Sequence, residues 1–257
     1  MIPSPDPSTI TGVKTASLRL PIFVSEPHPC EYLPGEQAET AYRLLADVEP
    51  GELGALLARG WRRFGAIGFR PVCRACAECV PLRIPVAGFQ LSRSQRRARN
   101  RCAGLTATLG PPIVDDERLA LYARWHAGRE SARGWELSPL DATDYRRSFV
   151  ANDACARELT YRDGARLIGV GICDESADAF SAAYFFHDPS YARMSPGTNH
   201  VLEVVERARA AGKAYVYLGF RVLGCASMRY KAGFRPHELL DGRPDDDTPP
   251  IWRPAAG

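Results

Sequence analysis

Hydrophobic and polar positions change rhythm along this chain in an order that mixes strands with helices, without internal repeats or low-complexity linkers. Alternation over residues 40–45 predicts a strand, helical spacing over 52–61 an amphipathic helix, and residues 63–69 and 80–86 two strands flanking a cysteine-rich loop. Ser92 is placed to cap a very basic helix. Gly110-Pro111-Pro112 is the clearest break and divides the chain into two expected subdomains, 20–110 and 111–240. Beyond it, helices are expected over 116–130 and 140–150, the second with Ser138 as cap and Pro139 at its first position. The pattern then turns to strands, with 157–161, 166–173 and 179–186 forming an antiparallel meander whose first turn is Asp163-Gly164. A helix opening at Gly197-Thr198 ends at Gly212, a β-rich run at 215–219 returns beside the meander, and a last helix covers 225–231.

The predicted fold class is therefore α+β, with a central mixed, mostly antiparallel sheet flanked by helices. In the C-terminal subdomain the order of elements is that of acyltransferases of the GNAT (N-acetyltransferase-like) fold, in which a cleft opens between the central strands. Fold alone does not fix chemistry. Residues 1–19 read as a flexible N-terminus, and 241–257, with Asp245-Asp246-Asp247 and several prolines, as an unordered acidic tail.

At 257 residues, 45% hydrophobic and 25% charged, the chain can bury a core, and no apolar run approaches the ~20 residues that cross a bilayer. No basic region followed by an apolar core opens the sequence, so a reducing, cytoplasmic location without membrane contact is expected. The net charge of +3 points to no polyanion, but its distribution does: residues 51–110 hold 11 Arg against two acidic residues, Glu52 and Glu78, a local charge of +9. Within that segment Arg93, Arg96, Arg97 and Arg101 lie on overlapping faces of the basic helix, which suits a sugar-phosphate backbone; a merely solvated face is the plainer alternative. Of the eight cysteines, Cys73, Cys76 and Cys79 have the C-x2-C-x2-C spacing of iron-sulfur proteins, and Cys30 is the natural fourth. Four thiolates would also hold zinc, and reduced structural thiols are the remaining reading.

Several motifs, in this order and spacing, resemble the bacterial aminoacyl-tRNA protein transferases, the aspartate/glutamate leucyltransferase branch related to eukaryotic arginyltransferases. They are Cys30-Glu31-Tyr32-Leu33-Pro34-Gly35, the run from Arg70 to Cys79, Ser94-Gln95-Arg96-Arg97, the Phe186-His187-Asp188-Pro189 turn and the long run from Tyr215 to Pro236. The resemblance spans roughly residues 20–240. It departs from the family pattern at Phe220-Arg221, at His187 in His187-Asp188-Pro189, and at Pro196 and Asn199 in Ser195-Pro196-Gly197-Thr198-Asn199, positions near the expected cleft.

The resemblance implies transfer of leucine or arginine from an aminoacyl-tRNA to the N-terminal α-amine of a protein beginning with Asp or Glu, which marks that protein for degradation. The ester is already activated and an α-amine has a pKa of ~7.7–8.0, so no cofactor is required and positioning and oxyanion stabilisation should dominate. Asp188, at the end of the third meander strand, is the expected amine-orienting or basic carboxylate, against the plainer reading of an Asp-Pro turn. Tyr217 and Tyr230 are expected to offer hydroxyls to the ester, against simple packing. Lys231, one of only three lysines beside 30 arginines, and Arg235 are expected to bind the acceptor's acidic side chain or a phosphate. Arg193 and Gly219 complete the expected substrate-binding set. Two other classes compete. An acetyl-CoA-dependent acyltransferase would need a run of backbone donors where Pro196 removes one. A non-catalytic cysteine-cluster RNA-binding or sensor module leaves the motif-rich C-terminal half without a purpose.

Overall fold

The computed structural model describes residues 21–45, 47–133, 140–150 and 154–255. The expected flexible residues 1–19 and the proposed cap Ser138-Pro139 lie outside them. In chain order the elements are β1 (Ile22–Val24), β2 (His28–Pro29), β3 (Gln37–Ala38), β4 (Thr40–Leu44), α1 (Pro50–Ala58), β5 (Arg62–Phe64), β6 (Ile67–Pro71), β7 (Val80–Pro85), α2 (Arg93–Arg101), β8 (Thr106–Gly110) and α3 (Asp116–Arg133). They continue with α4 (Ala142–Tyr145) running into a π turn (Arg146–Val150), then β9 (Ala156–Asp163), β10 (Arg166–Glu175), β11 (Ala179–His187), a 3-10 turn (Pro189–Met194), α5 (Pro196–Ala210) and β12 (Tyr215–Arg221). Last come α6 (Ala226–Arg229) with a 3-10 turn (Tyr230–Gly233), β13 (Glu238–Leu240) and β14 (Trp252–Pro254).

The expected α+β class is observed. An eight-stranded mixed sheet runs β14-β13-β7-β12-β11-β10-β9-β8, and a four-stranded sheet runs β1-β4-β6-β5. The meander pairs antiparallel, β9 to β10 to β11, while β12 joins β11 in parallel after the α5 crossover. Burial on both faces explains the continuous apolar texture of β10. On one face α5 buries Val201, Val204 and Val205 against Ile168, Phe180 and Leu218. On the other, α3 and the π turn bury Leu121, Tyr122 and Phe149 against Val170, Ile172 and Phe186.

Three expectations change. Residues 63–69 do not form one strand, because Gly65 turns back at φ +54° and lies so close to the Arg147 carbonyl that no Cβ would fit there. The helix expected over 140–150 is capped by Asp141, whose carboxylate accepts the Asp144 N–H at 2.8 Å, and widens into a π turn after one helical turn. The break at Gly110 does not separate two sheets, since β7 lies between β13 and β12.

The acidic tail is also not loose. Arg43, only 1% exposed, meets Asp246 through two hydrogen bonds of 3.2 and 2.7 Å, and Arg59 and Arg70 donate to the carbonyls of Pro244, Asp245 and Asp246. Trp252 donates its indole N–H to the Ala58 carbonyl at 3.0 Å, and β14 pairs with β13. Composition favoured disorder, but buried guanidinium groups that require an anion decide the outcome. Asp246→Ala leaves Arg43 without its partner, and should cost about 2–3 kcal/mol in urea unfolding. A loss below about 0.5 kcal/mol would show that the tail is not clamped.

Candidate active site

The parallel pairing of β11 and β12 is short. It registers only Ala179 with Tyr215, Phe180 with Val216 and Ser181 with Tyr217, after which the strands part. Separation strips the next carbonyls of their ladder partners, and such groups must find others. Arg62, from the start of β5, fills the gap. Its guanidinium donates to the Ala182 carbonyl at 2.7 Å and to the Tyr217 carbonyl at 3.5 Å, one from each strand.

β12 bends at the same place. Its register with β7 shifts between Tyr217 and Phe220, and Gly219 within the bulge has φ +76°. A Cβ on Gly219 would stand 3.3 Å from Arg62 Nε and 3.6 Å from Lys231 Nζ, so the missing side chain lets two cations approach the strand. Lys231 donates to the Phe220 carbonyl at 3.1 Å. Burial first, and then the neighbouring Arg62, lower its pKa to about 7. Burial lowers that of Arg62 as well, partly offset by Asp174, which forms its own ion pair with Arg63 at 2.7 Å.

Distant stretches of sequence converge on this apex. Leu33 reaches Gly224, Gln95 donates to the Gly233 carbonyl at 3.1 Å, and Tyr32 lies within electrostatic reach of Cys30, Cys79 and Cys225. The cysteine quartet gathers here too. Burial raises the Cys79 pKa to about 12, with further upward pressure from Cys73, Cys30 and Cys76. Cys73 Sγ accepts the Glu39 N–H at 3.4 Å. Among the described residues no three side chains are arranged to hold a metal ion, while Cys30, Cys73 and Cys76 all lie within electrostatic reach of Cys79.

Other expected site residues lie elsewhere or face away. Asp188 is six residues beyond Ala182, about 20 Å along an extended strand. It caps the 3-10 turn by accepting from Ser190 N at 3.0 Å and Ser190 Oγ at 2.7 Å, and it is held by Arg166 at 2.7 Å. Burial pushes its pKa up, but the Ser190 hydrogen bonds and Arg166 outweigh that and hold it at about 2, too low for a base near neutral pH. The turn reading of Asp-Pro describes it. Tyr217 contributes its backbone to the apex, whereas its hydroxyl is turned to Arg83 at 3.4 Å and its ring packs 5.6 Å from Trp252. Burial raises its pKa to about 12. Tyr230 is 48% exposed, with its ring 6.2 Å from Phe234. Arg235 lines a separate open cavity of about 390 Å³ with Gln90 and His237, and Arg193 is exposed on the 3-10 turn before α5.

On α2, Ser92 accepts the Gln95 N–H, Gln95 and Ala98 face inward, and Arg93, Arg96 and Arg97 face solvent. Arg101 instead bonds the Met194 carbonyl and Ser195 Oγ, and Arg99 pairs with Glu206 at 3.4 Å, an acid remote in sequence. Arg62 is the residue that sequence reading missed. Its signal was the Arg62-Arg63 pair between Trp61 and Phe64 in a β-rich run, where solvated charges are not expected.

Comparison with known proteins supplies the chemistry. Residues 28–97 match the family model described as the N terminus of arginine-tRNA-protein transferase, and residues 117–241 match that of its C terminus. The aspartate/glutamate leucyltransferase of Helicobacter hepaticus is 32% identical over 236 residues, covering 91% of this chain and 98% of that protein. That of Alkalilimnicola ehrlichii is 39% identical over 227 residues, covering 87% and 94%. The chain belongs to the arginine-tRNA-protein transferase family. The resemblance read from its motifs is borne out, and this family member is an aminoacyltransferase. Among solved structures, the C-terminal domain of a putative lysylphosphatidylglycerol synthetase from Agrobacterium fabrum has a TM-score of 0.45 at 14% identity, covering 69% of this chain and 58% of that one. FemX gives 0.42 at 11%, covering 67% and 61%. No helix among the described residues is long and apolar enough to cross a membrane.

If Lys231 is held against Arg62 in this transferase, its ammonium should titrate near pH 7 in a ¹⁵N-detected NMR titration of the lysine side chains. A midpoint near the ordinary ~10.4 would contradict the packing described.

Proposed function

We propose that this transferase joins an amino acid from aminoacyl-tRNA to the α-amine of proteins beginning with Asp or Glu, with the reacting groups meeting where β11 and β12 part, in the manner of a GNAT cleft. The acceptor nitrogen attacks the ester carbonyl carbon, the carbon–oxygen bond to the terminal ribose breaks, and the proton lost by the amine is taken up by the departing ribose oxygen. Atoms balance without ATP or an electron carrier.

The observation that carries this reading is the pair of cations at the apex. Among the described residues Lys231 has one hydrogen bond, to the Phe220 carbonyl, and no carboxylate is among the groups that shift its charge. The apex is therefore electropositive and suited to the side-chain carboxylate of an acidic acceptor. Asp188 is left to shape the turn before α5. The exposed Arg93, Arg96 and Arg97 supply a tRNA-facing surface, positioning without reading the esterified residue. Arg101, bound to that turn, fixes the helix in place. The four cysteines gather beneath the apex, where a structural or sensing cluster or zinc ion would be held by Cys30, Cys73, Cys76 and Cys79, and no step of the transfer runs through it.

Carboxylate binding should raise the Lys231 pKa, so acceptor binding takes up a proton and acceptor affinity falls as pH rises through about 7. The test is transfer from labelled leucyl- and arginyl-tRNA to peptides beginning Asp, Glu or Ala. Asp and Glu peptides should be modified and Ala not, with Lys231→Met raising the acceptor KM at least ~10-fold and removing its pH dependence. Transfer to all three peptides alike, or an unchanged KM in Lys231→Met, would remove Lys231 from acceptor recognition.

A further inference from the structure

Beside the parted strands lies an apolar cavity of about 190 Å³ that neither the cations nor the cysteines account for, lined by Phe64, Tyr122, Leu140, Ser148, Phe149 and Tyr184. We propose that it receives the side chain of the amino acid carried by the donor tRNA, and that it selects leucine over arginine. This rests on the transferase reading above and assigns the donor subsite within it.

Position is the first argument. Arg62 and Phe64 face the same side of the small sheet, since they pair with Phe69 and Ile67, themselves two residues apart. On the opposing strand the carbonyl that Arg62 holds belongs to Ala182, and Tyr184 lies two residues further on. Two residues of strand span about 6.6 Å, so both walls of the cavity stand one side chain's length from the apex. An acyl group seated at the apex can therefore extend its side chain into the cavity.

Size and chemistry narrow the occupant. An apolar cavity of about 150 Å³ holds a benzene-sized molecule, so this one admits the four-carbon side chain of leucine. Its described walls are aromatic rings, one leucine and one serine hydroxyl, with no charged side chain among the described residues that line it. A guanidinium placed there would lose its hydration without gaining a carboxylate.

The cavity is also built firmly. Phe149 stacks on Tyr184 at 5.5 Å and 17°, Phe64 meets both edge-on at 6.1 and 5.9 Å, and the Tyr184 hydroxyl is held by His126 Nε2 at 2.7 Å. Ser148 and Phe149 come from the π turn, and Gly65 alone lets the β5–β6 turn close on it. Single π turns inside helices recur at functional sites, because the extra residue re-aims side chains that a regular helix would point elsewhere. A site framed by stacked rings cannot readily expand, which is what discrimination between side chains needs.

The test measures binding apart from transfer, by calorimetry with 3′-deoxyadenosine carrying leucine, alanine or arginine in amide linkage at the 3′ position. Wild-type protein should bind the leucyl derivative at least ~10-fold more tightly than the alanyl one, and the arginyl one no better than the alanyl. Ser148→Leu, which fills the cavity, should abolish the leucyl preference and leave alanyl binding unchanged. Equal binding of leucyl and alanyl derivatives to the wild type, which needs no variant, or a leucyl preference that survives in a folded Ser148→Leu, would overturn the assignment. A leucyl preference in a protein that transfers nothing from leucyl-tRNA would uphold the subsite and sink the transferase reading instead.

Discussion

One hydrogen-bonding constraint organises this molecule. Where two parallel strands separate, their carbonyls must be satisfied, and Arg62 satisfies one from each. The guanidinium is suited to this because its planar fork bridges two acceptors while staying charged even when desolvated, which an ammonium does less well. Arg62 belongs to the small N-terminal sheet, so the same contact fixes that sheet to the large one. Gly219, Lys231 and the cysteine loops then fall into place around it.

The resulting apex is electrostatically unusual. Several buried or half-buried arginines elsewhere are matched closely by acids: Arg118 with Glu158 at 2.6 Å, Arg83 with Glu238 at 2.7 Å, Arg43 with Asp246 at 2.7 Å. At Lys231 burial and then a second cation, Arg62, act where an acid would otherwise stand, and its pKa falls to about 7. An enzyme whose acceptor brings its own carboxylate gains from leaving that place open, since the cost of holding the cation apart is recovered when the acceptor binds. Asp188 illustrates the reverse case, a carboxylate whose oxygens are taken up by Ser190 and Arg166.

Much of the fold was legible in the sequence, because the meander, α5 and β12 are set by local alternation and capping. The candidate site was legible only in part. Lys231 and Gly219 stood out through rarity and motif, and both meet at the apex. Tyr217 was singled out for its hydroxyl, but strand parity turns that hydroxyl to Arg83 and leaves only its carbonyl in the gap. Arg62 and the aromatic cavity were invisible because each depends on contacts across more than 100 residues of sequence, as Arg62 with Ala182 and Phe64 with Tyr184 do. The tail misled because its acidic, proline-rich composition hid the buried Arg43 that orders it.

The claim that the parted strands are the reaction site is tested most directly by amide hydrogen exchange. The measurement compares free protein with protein bound to tRNA carrying leucine in a non-hydrolysable amide linkage. Protection should rise in residues 62–64, 182–186 and 218–221, together with the outward face of α2. Protection confined to the separate cavity around Gln90 and Arg235, with the strand edges unchanged, would contradict the account.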